Sequence, residues 1–109
     1  MGKLRVNKLR HQITIEKNAG TQSDGAGNRI PVWEPLFTTW AEVRPLRGDE
    51  IETAALLRQE ITHMVTIRYR NDFTRDKHRV NFNGRILAIE TIINKDELNV
   101  ELNIQCREG

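Results

Sequence analysis

Cysteine is nearly missing from this 109-residue chain: the single one is Cys106. A lone thiol cannot close an internal disulfide. The fold is therefore expected to be independent of oxidation, with a reducing cytoplasm as the setting in which the chain is made. Aromatic residues are scarce as well, at three Phe, two Trp and one Tyr. That scarcity counts against a reader of single-stranded nucleic acid, which stacks bases on aromatic faces. No apolar run approaches the roughly 18 residues of a membrane span, so no membrane partner is expected. The basic opening "MGKLRVNKLRHQ" leads into no apolar segment and lacks the Ser or Thr of a myristoylation site, so neither a secretory signal nor a lipid anchor is expected. An excess of one charge is absent too. Seventeen Lys and Arg against fifteen Asp and Glu leave a net charge of +2, which permits contact with a polyanion without requiring it.

What the chain does have is alternation. In "ELNVELNIQCRE", Leu98, Val100, Leu102, Ile104 and Cys106 alternate with polar residues. Side chains on a strand point to opposite faces with period two, so this segment predicts a half-buried strand. "ITHMVTIRYR" behaves alike, with Ile61, His63, Val65, Ile67 and Tyr69 on one face. "HQITIEK" predicts a strand with Ile13 and Ile15 inward, and "FTTWAEVRP" another that stops at Pro45, which has no N–H for a ladder. Asn83-Gly84 predicts a hairpin, because both turn positions need positive φ. Its second arm, Ile86 to Ile93, is apolar on both faces at its start and reads as a central or doubly covered strand. Between the first strands, "NAGTQSDGAGNR" reads as a flexible glycine-rich loop over about 18–29, carrying Gly20, Asp24, Gly25 and Gly27. A short edge strand is expected around Ile30 to Trp33.

One segment is helical. "GDEIETAALLRQ" has Asp49 placed to cap, Glu52 three residues later, and Glu50 and Glu52 at the positive end of a helix dipole with Arg58 at the negative end. Ile51, Ala54 and Ala55, with Leu56 or Leu57, form a narrow apolar stripe. About ten residues are marginal alone, so the segment needs a surface: its own barrel or another subunit. The reading is one domain, residues 1–109, with a helical insertion at about 47–59. It is mainly β, a small antiparallel β-barrel or sandwich-like barrel with one short inserted α-helix.

Chemistry is harder to find. The glycine-rich stretch lacks the Lys-Ser/Thr and following helix of a phosphate loop. His11, His63 and His78 show no metal-ligand spacing, and His63 reads as a hydrogen-bonded residue at the core edge. Cys106 closes an apolar strand face and reads as a small buried hydrophobe. Asp49, Glu50 and Glu52 are explained by helix-start electrostatics. "RNDFTRDKHR" reads as a basic turn that is either solvated or in contact with an acidic neighbour. No catalytic, cofactor-binding or metal-binding set emerges, so an enzyme is not expected.

"LRHQITIEK", then "WEPLFTTWAEVRPLRGDEIETAALLRQEITHMVTIRYR", then "HRVNFNGRILAIETIINKDELNVELNIQCRE" together resemble the head-tail adaptor family of tailed bacteriophages and prophages, the head-tail joining, head-completion or head-closure proteins. The similarity runs from Leu9 to Glu108. It implies a β-barrel with an inserted helical segment, no catalysis, and a virion location after assembly in the host bacterial cytoplasm. It implies a homo-oligomeric ring, usually a dodecamer, below the portal or its adaptor ring. Such a ring retains the packaged DNA and presents a surface to the tail-completion or tail-terminator protein. On this resemblance Arg47, Glu50, Ile51, Glu52, Leu56, Leu57 and Arg58 are expected to pack between subunits or line the channel; the alternative is a helix lying flat on its own barrel. Arg68, Arg70 and Arg75 are expected to meet Glu50, Glu52 and Glu60 of the next subunit, and the 18–29 loop is a candidate docking loop. Two rival readings are a nucleic-acid-binding barrel of the oligonucleotide-binding type and a neck protein acting at the tail end.

Overall fold

The computed structural model describes residues 8–109; most of the basic N-terminal stretch discussed above lies outside them. Six antiparallel strands form the molecule: β1 (His11–Ser23), β2 (Arg29–Pro45), β3 (His63–Arg68), β4 (His78–Phe82), β5 (Arg85–Asn94) and β6 (Glu101–Glu108). They close into a barrel in the order β1-β2-β3-β6-β5-β4. One helix, α1 (Gly48–Leu56), is inserted between β2 and β3.

The alternation in the sequence becomes the inside and outside of the barrel. Ile13 and Ile15 of β1, Val65 and Ile67 of β3, and Leu102, Ile104 and Cys106 of β6 meet Val80, Leu87, Ile89 and Ala41 in one buried cluster. Asn83 (φ 52°) and Gly84 (φ 88°) turn β4 into β5 as expected.

Four expectations change. The second hairpin arm is central, paired with both β4 and β6, but it is not doubly covered: a closed barrel has one interior, so Leu87 and Ile89 are buried while Ile86 and Ile93 face out. A bulge between Ile89 and Thr91 shifts the register, and Ile92 then packs against the core. The last strand begins at Glu101, not Leu98. Asn94 and Asn99 clasp across a tight turn (Asn94 Nδ2 donates to Asn99 Oδ1 at 2.7 Å, and the Asn99 N–H to Asn94 Oδ1 at 3.1 Å), which leaves Leu98 outside. Phe73, in the stretch read as a basic turn, is buried and plugs the core, edge-on to Phe37 with ring centroids 5.7 Å apart.

The largest change concerns the glycine-rich loop. Residues 18–29 are mostly strand. Asn18 pairs with Trp33, Thr21 with Pro31, Gln22 with Ile30 and Ser23 with Arg29. The edge strand and the strand after it are one element of 17 residues. Polar residues read locally as loop, but pairing with a segment further along the chain overrides that composition. Gly20, at φ 101°, sits where the register slips between Asn18 and Thr21, and such a bulge favours glycine. β1 pairs with β4 only over Thr14–Lys17, and β2 with β3 only over Ala41–Pro45. Beyond those limits, apart from a bond from the Asn18 N–H to the Lys77 carbonyl at 2.8 Å, the two strands pair only with each other, and they run past the barrel as a ribbon. The longest dimension is 53 Å and the radius of gyration 15.1 Å, against about 13 Å for a compact chain of this length.

Because β2 runs from the ribbon at Arg29 to the helical insertion after Pro45, the two appendages lie at opposite ends of the barrel. Strand direction alone sets that placement.

Candidate functional site

The helical insertion is the first candidate surface. Its start differs from the expected cap. The N-cap is Arg47, and the Glu50 carboxylate three residues on accepts the Arg47 N–H at 2.8 Å. Arg44, near the end of β2, donates twice to the same carboxylate, at 2.7 and 2.9 Å. These bonds from Arg44, and then from Arg47, hold Glu50 far below the usual carboxylate range, at about 2. The strand end thus dictates where the helix begins, two residues ahead of the position that Asp49 and Glu52 mark in the sequence.

At the other end the chain leaves the helix through Arg58 in the left-handed region, φ 56°. The Arg58 N–H donates to the Ala55 carbonyl at 3.1 Å and the Gln59 N–H to that of Ala54 at 2.8 Å, the two bonds of a Schellman stop. Arg58 therefore closes the helix instead of compensating its dipole. Ala54 alone on the helix is buried. Ile51, Leu56 and Leu57 are 54%, 84% and 62% exposed. Beside them an apolar groove runs between Ala54, Ala55 and Ile61 on one side and Arg107 on the other. Arg107 also pairs with Glu60 at 2.9 Å, tying the segment after the helix back to β6. The helix is held to its own barrel at both ends and turns its large apolar side chains to water.

The ribbon is the second candidate surface. Its tip is pre-set, not loose. Asp24 Oδ1 accepts the N–H groups of Ala26 (2.7 Å) and Asn28 (3.2 Å), and the Asp24 N–H reaches the Asn28 carbonyl at 3.1 Å. The backbone bond from Ala26, followed by the Asn28 side chain, holds the Asp24 carboxyl below its ordinary carboxylate value. Gly25 and Gly27 take the positive φ angles the turn demands, 84° and 87°. At the root, Arg79 lies over the Trp33 ring, 4.3 Å from its centroid, and donates to Glu16 at 2.7 Å. Asn81 holds the other Glu16 oxygen at 3.1 Å. Burial pushes the Glu16 carboxyl up, but the bonds from Asn81 and Arg79 outweigh it and leave the group lowered.

The remaining expected charges divide. Arg70 forms a two-point pair with Asp72 (3.0 and 2.6 Å) and stacks on Phe37 at 3.6 Å. Arg75 donates to the Glu90 carbonyl at 3.1 Å. Glu50 and Glu60 have their partners within the chain. Arg68 is exposed on β3 and Glu52 on α1, with no ion pair among the described residues.

Two features bear on chemistry. Cys106 is buried, and burial, followed by the nearby Glu90 charge, pushes its thiol up to about 12; it is a protonated thiol at neutral pH, not a nucleophile. A polar cleft of about 300 Å³ beside the helix start is lined by Arg44, Arg47, Glu50, Lys95 and Glu101. There Arg44 is taken up by Glu50, and Lys95 lies 3.9 Å from Glu101. His63 is half-buried, with Nδ1 2.8 Å from the Thr62 hydroxyl. Among the described residues no three His, Cys, Asp or Glu side chains converge as metal ligands, and no helix is long and apolar enough to cross a membrane. The aromatic faces that could stack bases are largely taken: arginines cover Trp33, Phe37 and Phe82.

Set beside known proteins, the phage head completion protein family matches residues 4–109 of this chain. A protein from Shigella flexneri 2a, solved in solution, is 30% identical, with a TM-score of 0.73 over 97% of each chain. A chain from the virion of a native gene transfer agent particle is 20% identical, with a TM-score of 0.59 over 92% of this chain and 94% of that one; at that identity the likeness concerns the fold. No curated protein matches.

Proposed function

The chain belongs to the phage head completion protein family, a structural, head-related component of the virion, and from that premise we propose that it closes the filled head. In this reading copies of the chain form a ring, a dodecamer in the assembled particle, below the portal or its adaptor ring. The ring retains packaged DNA and offers its far side to the tail-completion or tail-terminator protein. It acts without catalysis and assembles in the bacterial cytoplasm. Arg47–Gln59 packs between subunits or lines the channel, anchored by Ile51, Leu56 and Leu57.

The observation that carries the reading is the exposure of those three side chains on a helix braced from behind by Arg44–Glu50 and Arg107–Glu60. Large apolar side chains left exposed on an element with a built support mark a contact surface. The ribbon, rigid at root and tip and projecting from the opposite end, gives a second contact along the barrel axis. A nucleic-acid-binding barrel is the weaker reading, because arginines cover Trp33, Phe37 and Phe82 and leave Trp40 as a lone exposed ring rather than a stacking row.

The test is electron microscopy of particles assembled without this chain. Filled heads that lose DNA, together with free tails, are expected. Intact filled heads with tails attached would reject head closure.

A further inference from the structure

A ring of identical subunits needs two different patches on opposite sides of each copy, one meeting the other around the circle. In this barrel β2 and β5 are three strands apart whichever way round they are counted, so their outer faces lie on different sides of the barrel. Resting on the ring reading above, we propose that neighbouring copies meet flank to flank, the outer face of β2 in one copy seated on the β5–β6 corner of the next.

On the first flank Ala41 and Phe37 point into the barrel, which turns Trp40 and Leu36 outward; they are 53% and 41% exposed. Here β2 has left β3, since their pairing starts at Ala41. Arg68, one residue past Ile67, the β3 partner of Ala41, is exposed at the same place and has no ion pair among the described residues.

The second flank is the corner where β5 passes into β6. Ile93 and Leu98 are 40% and 50% exposed. Between them Asp96 and Glu97 carry carboxylates that have no ion pair among the described residues. The backbone there is left-handed at Asp96 (φ 53°), Glu97 (φ 55°) and Asn99 (φ 56°), a conformation that L-residues seldom adopt. The Asn94–Asn99 clasp holds it in place. The result is a stiff knuckle presenting two apolar side chains and two negative charges.

The flanks complement each other: one has two apolar groups beside a cation, the other two apolar groups beside a pair of carboxylates. That is the apolar centre and charged rim of a specific interface. They also lie along one row of register partners, Ala41 to Ile67 to Leu102 to Asn94. The contact leaves the helix end free, and because the β5–β6 corner turns at the same end of the barrel as the ribbon, the neighbour sits beside the ribbon's root.

Charge reversal tests the pairing, with the full-length chain followed by native mass spectrometry over rising concentration and folding checked by circular dichroism. R68E alone and D96K/E97K alone are expected to keep the fold and to raise the concentration for half-assembly at least tenfold at low salt. An equimolar mixture of the two should assemble as the parent does, because each reversed flank then finds its complement in the other variant. W40S should weaken assembly in every background. An oligomer that forms equally well with R68E overturns the contact and leaves the ring standing, as does failure of the mixture to rescue; a corner that binds a different protein would behave in this way. No self-association at any concentration overturns the ring, and this contact with it.

Discussion

Glu50 shows how much of this molecule is decided by single side chains outside the core. Its carboxylate fixes the first turn of α1 and joins it to the end of β2 through Arg44. The group sits at about 2 in the folded chain against an ordinary 4.5. A lowered acid stabilises the fold above its unfolded value, and that contribution fades as pH falls from about 4.5 towards 2. The carboxylate is partly open to solvent, so the shift overstates the energy, and about 1 kcal/mol is the expected size. Glu50→Gln should therefore lower stability by about 1 kcal/mol at neutral pH and flatten the acid limb between pH 4.5 and 2, measured by denaturant unfolding across pH. Neither role is written locally in the sequence. Asp49 and Glu52 offer the familiar spacing, but the winning cap depends on Arg44, which belongs to a strand.

At the scale of elements, β3, β6 from Glu101 onward and the Asn83–Gly84 turn were legible because alternation and turn chemistry are local signals. Of the ribbon, only the half at Ile30 to Trp33 was legible as strand. Gly20, Asp24, Gly25 and Gly27 do shape bends, but they shape a bulge and a tip between paired strands, and the polar half from Asn18 to Ser23 has no apolar face to announce itself. Phe73 was hidden for the converse reason: its charged neighbours mask one inward-pointing ring. Of the candidate site, the narrow stripe of Ile51, Ala54 and Ala55, extended by Leu56 or Leu57, reads as needing a surface, and only Ala54 of it is buried on the chain's own barrel. The β5–β6 corner was not legible, since Leu98 continues the alternation of β6 and only the Asn94–Asn99 clasp takes it out of the strand. The end of α1 yields a further prediction. Arg58 occupies a left-handed position that glycine takes without strain. Arg58→Gly should raise stability by ~0.5 kcal/mol after allowance for the freer unfolded chain, and Arg58→Val should lower it, both read from urea midpoints.

For the whole molecule, the direction of β2 matters most. One strand carries the projecting ribbon at its start and the helical insertion at its finish, with the barrel as the spacer between them. A subunit built in this way has an upper and a lower surface before it has any neighbour, and two flanks on which neighbours can be placed. The core of aliphatic side chains fills that spacer, and in the proposed ring it would keep contacts at one end in register with those at the other. The most direct measurement is a cryo-electron microscopy reconstruction of the neck of an assembled particle containing this chain. The account predicts a closed ring of the chain between head and tail, with Leu56 and Leu57 buried against a neighbouring copy or facing the central channel. A neck without the ring, or a ring in which both leucines point to outside solvent, would contradict it.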